Sequence, residues 1–402
     1  MKKWVSITAI VILCLALVIG IACGGGEKEE GVKEVKLGYA TALSGFLGTI
    51  IGLPAQRGVE LANEQIGVFA VGGEQCRWKI IFEDNAYTTS GGLATATKFI
   101  YEDGVKLMRQ SGADSGMTAQ VLCEGEGVLL DASAGLDFLG PNNPYSIYLD
   151  PLYQMPLPTF FRWLVTAHPE VKTVAIVQGD DLTGHGIADS AEKSAEYYGL
   201  EVVAKEFIPA GTTELFPLAT KLVARDPDLI VGGLLVMTPM QEMGWNGLIV
   251  YAGWSEVVGE YAGWDNVQGM LIWAQNPFGE ELPQAVKDFK AEYEEQYNEE
   301  LTGGPFWAYI RLNVLTDILK KAGTVDDMDR ILEVIEAGTH FDTPLGPLGF
   351  GGGELVGINH LLLWPVWILE IRDHEPHIVE WFDSDEVYEL ACEVYGDLYL
   401  PK

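Results

Sequence analysis

The stretch VAIVQGDDLTGHGIADSAEKSAEYYGLEVVAKEFI, residues 174–208, decides the fold class. It begins with an apolar run typical of a buried strand, passes through a glycine-containing loop into a helical pattern, and ends in a second β-rich run. A strand, a helix and a second strand in this order form the unit from which parallel sheets are built. The stretch therefore predicts an α/β domain in which loops and helix N-termini gather at the carboxyl ends of the strands.

The same alternation fills the chain before residue 135. VKLGYA (35–40) is predicted as a strand, LSGFLGTIIG (43–52) as a glycine-punctuated loop, and PAQRGVELANEQI (54–66) as a helix with proline in its first turn. The proline-rich segment 140–158, in which no long helix or strand fits, then separates two similar units. The prediction is an α/β fold of two Rossmann-like lobes, each with a parallel sheet flanked by helices.

The N-terminus carries the features of an export signal. Two lysines precede an uncharged, almost wholly apolar run, which predicts a signal peptide over residues 1–22. The residues up to Cys23 resemble the end of a bacterial lipobox, where the chain is cut before a cysteine that receives lipid, although Gly20 stands where a bulky aliphatic residue is usual. Cys23 is therefore predicted as the lipidation site of a lipid-anchored linker, residues 23–34. A retained anchor and plain secretion stay open, and all three place the rest of the chain outside the cytoplasmic membrane.

Charge and composition exclude several classes of partner. The chain of 402 residues is 48% hydrophobic, which is enough for large cores and favours two domains. Its net charge of −33 would become −35 after loss of the two lysines of the signal peptide, so nucleic acid and anionic membrane surfaces are excluded as partners. The cysteines of the mature chain form no disulfide framework, but a bridge between Cys76 and Cys123 stays open.

The ordered series of segments resembles a known family, the type I periplasmic binding proteins of the leucine, isoleucine and valine group, which feed ABC importers. The resemblance spans about residues 35–373. It is carried by four further segments besides residues 174–208: LSG (43–45), RGVELANEQI (57–66), FEDNA (82–86) and GPLGFGGGELVGINHLLLWPVWIL (346–369). It implies a non-enzymatic receptor without a cofactor, which closes by a hinge over a small molecule and delivers it to permease subunits.

In this family the chain crosses between the lobes three times. The resemblance therefore implies a three-segment hinge near Asp150, Gln275 and Gly353. Lobe 1 is expected to contain residues 35–150 and 276–353, and lobe 2 residues 151–275 and 354–402.

The resemblance also implies which residues hold a ligand. Family members bind an α-carboxylate through backbone N–H groups and hydroxyls of the first lobe, and an ammonium through an acidic residue near the first crossing; helix N-termini favour such an anion. The matching loops are SGADSG (111–116) and DASAG (131–135). The candidates in lobe 1 are Ser111, Ala113, Asp114, Ser115, Ser133, Ala134, Gly135 and Asp150, and those in lobe 2 are Leu235, Trp254, Ser255 and Glu256.

Two departures from the family pattern bear on the ligand. Ile51 stands near the family's aromatic position in the first loop, and Leu136 near a hydroxyl position after the third loop. Both favour a more apolar ligand than an ordinary amino acid. The serines could instead cap helices or shape turns, and Trp254 could pack in the protein core instead of lining the cleft.

The sequence also bears on three alternatives to solute delivery: a hydrolase, a metal site and a ligand sensor. A hydrolase is disfavoured because the segment DASAG lacks the glycine two residues before Ser133 and no partner histidine can be assigned. The C-terminal segment RDHEPHIVE (372–380) holds two histidines and two glutamates, but its charge favours a solvated loop over a metal site. A ligand sensor on the same fold shares every feature of the pocket and stays open.

Overall fold

The computed structural model describes residues 31–209, 211–253, 258–259, 262–275, 282–396 and 398–400. The predicted signal peptide and Cys23 lie outside the described residues, as do Trp254, Ser255 and Glu256. None of the helices in the described ranges combines the length and apolarity that a membrane crossing requires.

The described strands are numbered in chain order. Their bounds are β1 Val32–Thr41, β2 Val68–Val71, β3 Glu74–Asp84, β4 Leu107–Gln110, β5 Leu129–Ala132, β6 Ser146–Ile147, β7 Thr173–Gly179, β8 Glu201–Ile208, β9 Leu229–Gly232, β10 Leu248–Ala252, β11 Leu271–Ala274, β12 His340–Thr343, β13 Gly346–Gly351, β14 Leu361–Leu362, β15 Val366–Arg372 and β16 Glu375–Phe382.

The longer described helices are numbered in the same way. Their bounds are α1 Leu53–Ile66, α2 Thr89–Lys98, α3 Ala113–Glu126, α4 Pro156–Ala167, α5 Leu182–Tyr197, α6 Phe216–Val223, α7 Leu234–Glu242, α8 Gln284–Tyr297, α9 Gly303–Ala322, α10 Met328–Glu336 and α11 Ser384–Tyr395.

The first sheet has the strand order β2-β3-β1-β4-β5-β6. All of its pairings are parallel except that of the edge strand β2, which lies antiparallel to β3. The central strands β4 and β5 are buried along their whole length, as expected for strands covered by helices on both faces. The fold class predicted from the alternation of strands and helices is confirmed here.

The second sheet has the order β16-β15-β11-β10-β9-β7-β8. Strands β7 to β11 pair in parallel, and the hairpin of β15 and β16 adds two antiparallel strands at one edge. This hairpin contains the segment RDHEPHIVE, for which a solvated loop was predicted. That prediction is wrong, because β16 pairs with β15 along its length and leaves only a turn at Asp373 and His374, both with positive φ.

Helices α8 to α10 return to the first sheet after the second is largely built. Residues of α9 contact α1 and share one core with the first sheet, and β12, β13 and β14 form a small third sheet beside it. β14 pairs with β13, and Leu361 bridges to Tyr148, so residues 361 and 362 pair with segments beside the first sheet.

The three hydrophobic cores follow this layout. One core lies between the first sheet and helices α1, α8, α9 and α10, and a second lies between the second sheet and helices α6 and α7. The third core contains residues of both lobes, including Phe138 from the first and Phe160 from the second. Cys76 and Cys123 are buried in two different cores as free thiols.

Two segments differ from the sequence-based prediction. The glycine-punctuated loop at 43–52 contains two short helical turns, Gly45–Leu47 and Gly48–Gly52. Helix α7 was not predicted, since Pro239 lies inside it and proline normally breaks a helix. Both segments follow the carboxyl end of a strand, where loops and helix N-termini line the cleft of an α/β fold.

Candidate functional site

The carboxyl ends of the central strands of the first sheet lie side by side. Thr41 at the end of β1 is in register with Asp84 at the end of β3, and Gln110 at the end of β4 is in register with Ala132 of β5. The loops that follow these strands therefore start from one edge of the sheet. This edge is the expected position of a ligand site in a parallel sheet.

Four charged side chains form a buried cluster at this edge. The ion quartet consists of Arg109 on β4, Asp131 on β5, Asp150 after β6 and Arg311 on α9, and all four residues are at most 7% exposed. Arg109 Nη1 and Arg311 Nε each lie 2.9 Å from Asp131 Oδ2. Both arginines also contact Asp150, one at each carboxylate oxygen. The quartet is therefore electrically balanced, with two positive and two negative groups.

Neutral partners add hydrogen bonds to the quartet. Ser133 Oγ donates to Asp150 at 2.9 Å and contacts Arg109, and Arg311 Nη1 donates to the hydroxyl of Tyr39 at 2.7 Å. The backbone N–H of Leu149 donates to the second oxygen of Asp131 at 3.0 Å. A buried ion pair needs such additional hydrogen bonds to offset the cost of removing charges from water.

The quartet changes the acidity of its carboxyl groups. Burial opposes ionisation of Asp150, but the nearby guanidinium groups of Arg109 and Arg311 outweigh it and lower the pKa of Asp150 to about 2. Burial has the larger effect on Asp131 and raises its pKa. Asp150 is therefore a carboxylate at neutral pH, with both oxygens engaged by the two arginines and Ser133.

The N-terminus of α3 follows β4 directly. Gly112 precedes the helix with φ of 93°, a conformation that glycine adopts without strain, and its carbonyl accepts the N–H of Gly116 at 2.9 Å. The backbone N–H of Ser111 donates to Ala40 at 2.9 Å, and Ser115 Oγ donates to the carbonyl of Thr88 at 3.3 Å. Ser115 thus contacts the loop after β3. The N–H groups of the first helical turn provide a position suited to an anion.

Aromatic side chains lie near the quartet. The first connection is the segment 150–154, which leads from the first sheet to α4. The ring of Tyr153 in this segment meets the ring of Trp307 on α9 edge to face, with centroids 6.4 Å apart. Burial raises the pKa of Tyr153, and the Asp150 carboxylate and the neighbouring Tyr251 and Tyr87 raise it further, so its hydroxyl lies near groups of both lobes. Burial likewise raises the pKa of Tyr87 to about 12.

The position of Tyr87 depends on an unusual backbone conformation. Ala86 and Tyr87 both have positive φ, 49° and 54°, which is uncommon for residues other than glycine. Asn85 stabilises this turn: its Oδ1 accepts the N–H of Tyr87 at 3.1 Å, and its Nδ2 donates to Gln110 at 3.0 Å. The ring of Tyr87 lies against Gly112, where an added Cβ would come within 2.9 Å of it. Backbone strain of this kind often marks a functional position.

The structure brings some of the predicted residues together and separates others. Ser133 and Asp150 are in direct contact, while Ala134 and Gly135 continue the same loop. Ser111, Ala113, Asp114 and Ser115 lie together at the start of α3. Leu235 lies in the second lobe at the N-terminus of α7 and is 37% exposed.

Arg109, Arg311, Tyr87, Tyr153 and Trp307 were missed by the sequence analysis. Arg109 in LMRQ and Arg311 in WAYIRLNVL each gave one usable signal, a single charge inside an apolar segment. Within the described part of the chain, no group of three or more histidine, cysteine or acidic side chains is arranged to hold a metal ion.

Comparisons with protein families and with known sequences both identify binding proteins. The family described as periplasmic binding protein matches residues 34–375. A leucine-, isoleucine-, valine-, threonine- and alanine-binding protein of Pseudomonas aeruginosa is 27% identical over 350 residues, which cover 81% of this chain and 88% of the relative.

Two solved structures share the fold. A leucine-binding protein of Thermotoga maritima superposes with a TM-score of 0.73 at 16% identity, covering 87% of this chain and 99% of the other. A solute-binding protein of an ABC transporter from Rhodopseudomonas palustris, in complex with benzoate, has a TM-score of 0.74 at 15% identity and covers 87% and 97% of the two chains.

Proposed function

The chain belongs to the periplasmic binding protein family, and on this premise we propose that it is the solute-binding component of an ABC importer. The family consists of extracytoplasmic binding proteins rather than enzymes. We propose that the bound molecule lies between the lobes and that the hinge closes over it. Closure is stabilised by contacts that the ligand makes only in the closed form.

The ligand that we propose is a small, partly apolar carboxylate or amide. The N-terminus of α3 offers N–H donors to a carboxylate or carbonyl oxygen. Tyr87, Tyr153 and Trp307 offer flat apolar surface to the rest of the molecule. Relatives by sequence or fold bind leucine or benzoate, which both combine one carboxylate with an apolar body.

The ion quartet is the observation that supports an acid without an ammonium group over one that carries it. Asp150 was predicted to accept an ammonium, but its two oxygens already accept from Arg109, Arg311 and Ser133. An ammonium would have to share this carboxylate with two guanidinium groups that already neutralise its charge, which weakens the attraction. We therefore propose that simple acids and amides bind more tightly than amino acids of the same size.

A thermal-shift panel tests this proposal. It contains benzoate, benzamide, isovalerate, leucine and glucose, each added to the mature protein. A compound at 100 times its Kd adds about 2.7 kcal/mol to the free energy of unfolding, which moves Tm by a few degrees. We expect shifts with benzoate or isovalerate that exceed the shift with leucine. A shift with glucose alone would contradict the proposed ligand class.

We further propose that Cys23 anchors the protein by lipid to the outer face of the cell membrane, with permease subunits as its partners. The uncharged apolar run before Cys23 and the tether-like composition of GGGEKEEGVK (24–33) support this assignment. In cells, Cys23→Ala should abolish lipid labelling and release the protein from membranes or leave it unprocessed. Mass spectrometry that finds wild-type protein unlipidated and still carrying Lys2 would support a retained anchor instead.

A further inference from the structure

The first connection between the lobes contacts both ends of the loop that follows β5. At one end of this loop Ser133 bonds to Asp150, and at the other end the backbone N–H of Leu136 donates to Gln154 Oε1 at 3.0 Å. Asp150 and Gln154 begin and end the short segment DPLYQ, so five residues of the connection hold the loop. The loop contains Ala134 and Gly135, two of the predicted ligand-binding residues.

Gln154 also contacts the second lobe. Its Nε2 donates to the hydroxyl of Tyr399 at 3.3 Å, and that hydroxyl lies 2.8 Å from Ser190 Oγ on α5. The backbone carbonyl of Gln154 accepts the hydroxyl of Tyr395 at 2.5 Å. Gln154 is only 4% exposed, so its amide depends on these partners rather than on water.

Two glycines leave room for the amide between the lobes. A Cβ added to Gly135 of the first lobe would lie 3.4 Å from Gln154 Oε1, and one added to Gly186 of α5 would lie 3.2 Å from Nε2. A larger residue at either position would press on the amide. The side chain of Gln154 therefore has one defined position, in which each end bonds to a different lobe.

We propose that Gln154, oriented by Tyr399, is a positioning residue that couples the angle between the lobes to the geometry of the ligand loop Ser133–Leu136. Rotation of the second lobe moves Tyr399 and Ser190, and the amide transmits this movement to the N–H of Leu136. The loop then has the geometry that a ligand requires in only one of the lobe arrangements. This inference rests on the proposed function for its binding measurement but not for its structural one.

Hydrogen exchange in the protein without ligand tests the structural part. Tyr399→Phe removes only the hydroxyl, and Gln154→Met keeps the length of the side chain without its amide. We expect faster exchange at the Leu136 amide in both variants. The matched control is Tyr197→Phe, which removes a hydroxyl that bonds to Glu393 inside the second lobe. In this variant the Leu136 amide should exchange at the wild-type rate.

Calorimetric titration with benzoate and with leucine tests the coupling. Each variant should weaken binding of whichever probe binds the wild type by roughly three- to tenfold, the usual effect of one hydrogen bond. The double variant should be no weaker than Gln154→Met alone, because both changes break one linkage.

Three results would overturn the inference. The first is that the Leu136 amide exchanges in Tyr399→Phe at the wild-type rate. The second is that Tyr399→Phe and Gln154→Met both bind the probe with wild-type affinity. The third is that the control Tyr197→Phe loses as much affinity as they do. If neither probe binds the wild type, benzoate and leucine are excluded as ligands, while the exchange measurement still decides the role of Gln154.

Discussion

Arg311 and Asp150 form a buried ion pair although 161 positions separate them in the sequence. Arg311 belongs to α9, which the chain adds to the first lobe after it has built most of the second sheet. Asp150 belongs to the first connection. The pair therefore joins the start of the hinge to a late-added helix, and it lies within the charge-balanced quartet.

Removing one member of the quartet should be much more harmful than removing a matched pair. Arg311→Met leaves two buried carboxylates facing one arginine, and we expect a loss of about 3 kcal/mol in the free energy of unfolding, measured by urea denaturation. Combining it with Asp131→Asn restores the balance of charge and should recover part of that loss. A double variant less stable than the single one would show that charge balance is not what the quartet provides.

The quartet also predicts how stability depends on pH. Asp150 has a pKa of about 2 in the folded protein, against about 3.9 for an unperturbed aspartate. A lowered pKa stabilises the folded state above the unfolded pKa, and this contribution is lost as the pH falls from about 5 toward 2. Other acidic groups titrate in the same window, so the wild type must be compared with Asp150→Asn. The difference between their unfolding free energies should shrink over that range by about 2 kcal/mol, and a constant difference would contradict the assignment.

Two glycines near α3 should respond to alanine in opposite ways. Gly112 has φ of 93° and lies against the ring of Tyr87, so Gly112→Ala should destabilise the protein by more than about 1 kcal/mol and weaken ligand binding. Gly125 lies in the last turns of the same helix with nothing within 4 Å of an added Cβ. Gly125→Ala should therefore raise stability by about 0.5–1 kcal/mol. Thermal unfolding and titration with benzoate would measure both, and equal effects would argue against a special role for Gly112.

The aromatic side chains near the quartet should favour flat ligands. Trp307→Leu removes a ring that meets Tyr153, and we expect the affinity for benzoate to fall roughly three- to tenfold, since an aromatic contact contributes about 0.5–1.5 kcal/mol. Trp163→Leu is the matched control, because Trp163 packs on Phe160 in the core shared by the lobes. A similar fall in affinity in both variants would indicate general destabilisation instead of ligand contact.

The architecture could be predicted from the sequence because the apolar pattern of a buried strand or helix is carried by residues that are close together in the chain. Buried strands such as β7 and β9 are recognised by their apolar runs, and α1 is recognised by the proline in its first turn. The short helical turns at 45–52 and helix α7 were missed because glycine and Pro239 normally interrupt helices, and here tertiary packing outweighs that tendency.

The site was harder to predict because its contacts join distant parts of the chain. A lone arginine in an apolar helix, as at Arg311, indicates a buried partner but does not say which one. Only the register of β4 and β5 and the return of α9 place it beside Asp131 and Asp150. The unusual backbone of Tyr87 has no sequence signature beyond the preceding asparagine, so its position against Gly112 also required the structure.

The double contact between the first connection and the loop after β5 limits how specificity can be re-engineered. Grafting that loop from a relative into this scaffold would break its contacts with Asp150 and Gln154 unless the donor carries the same partners. A chimera should therefore exchange residues 131–154 as one block, because the loop and the first connection are held together by these two contacts.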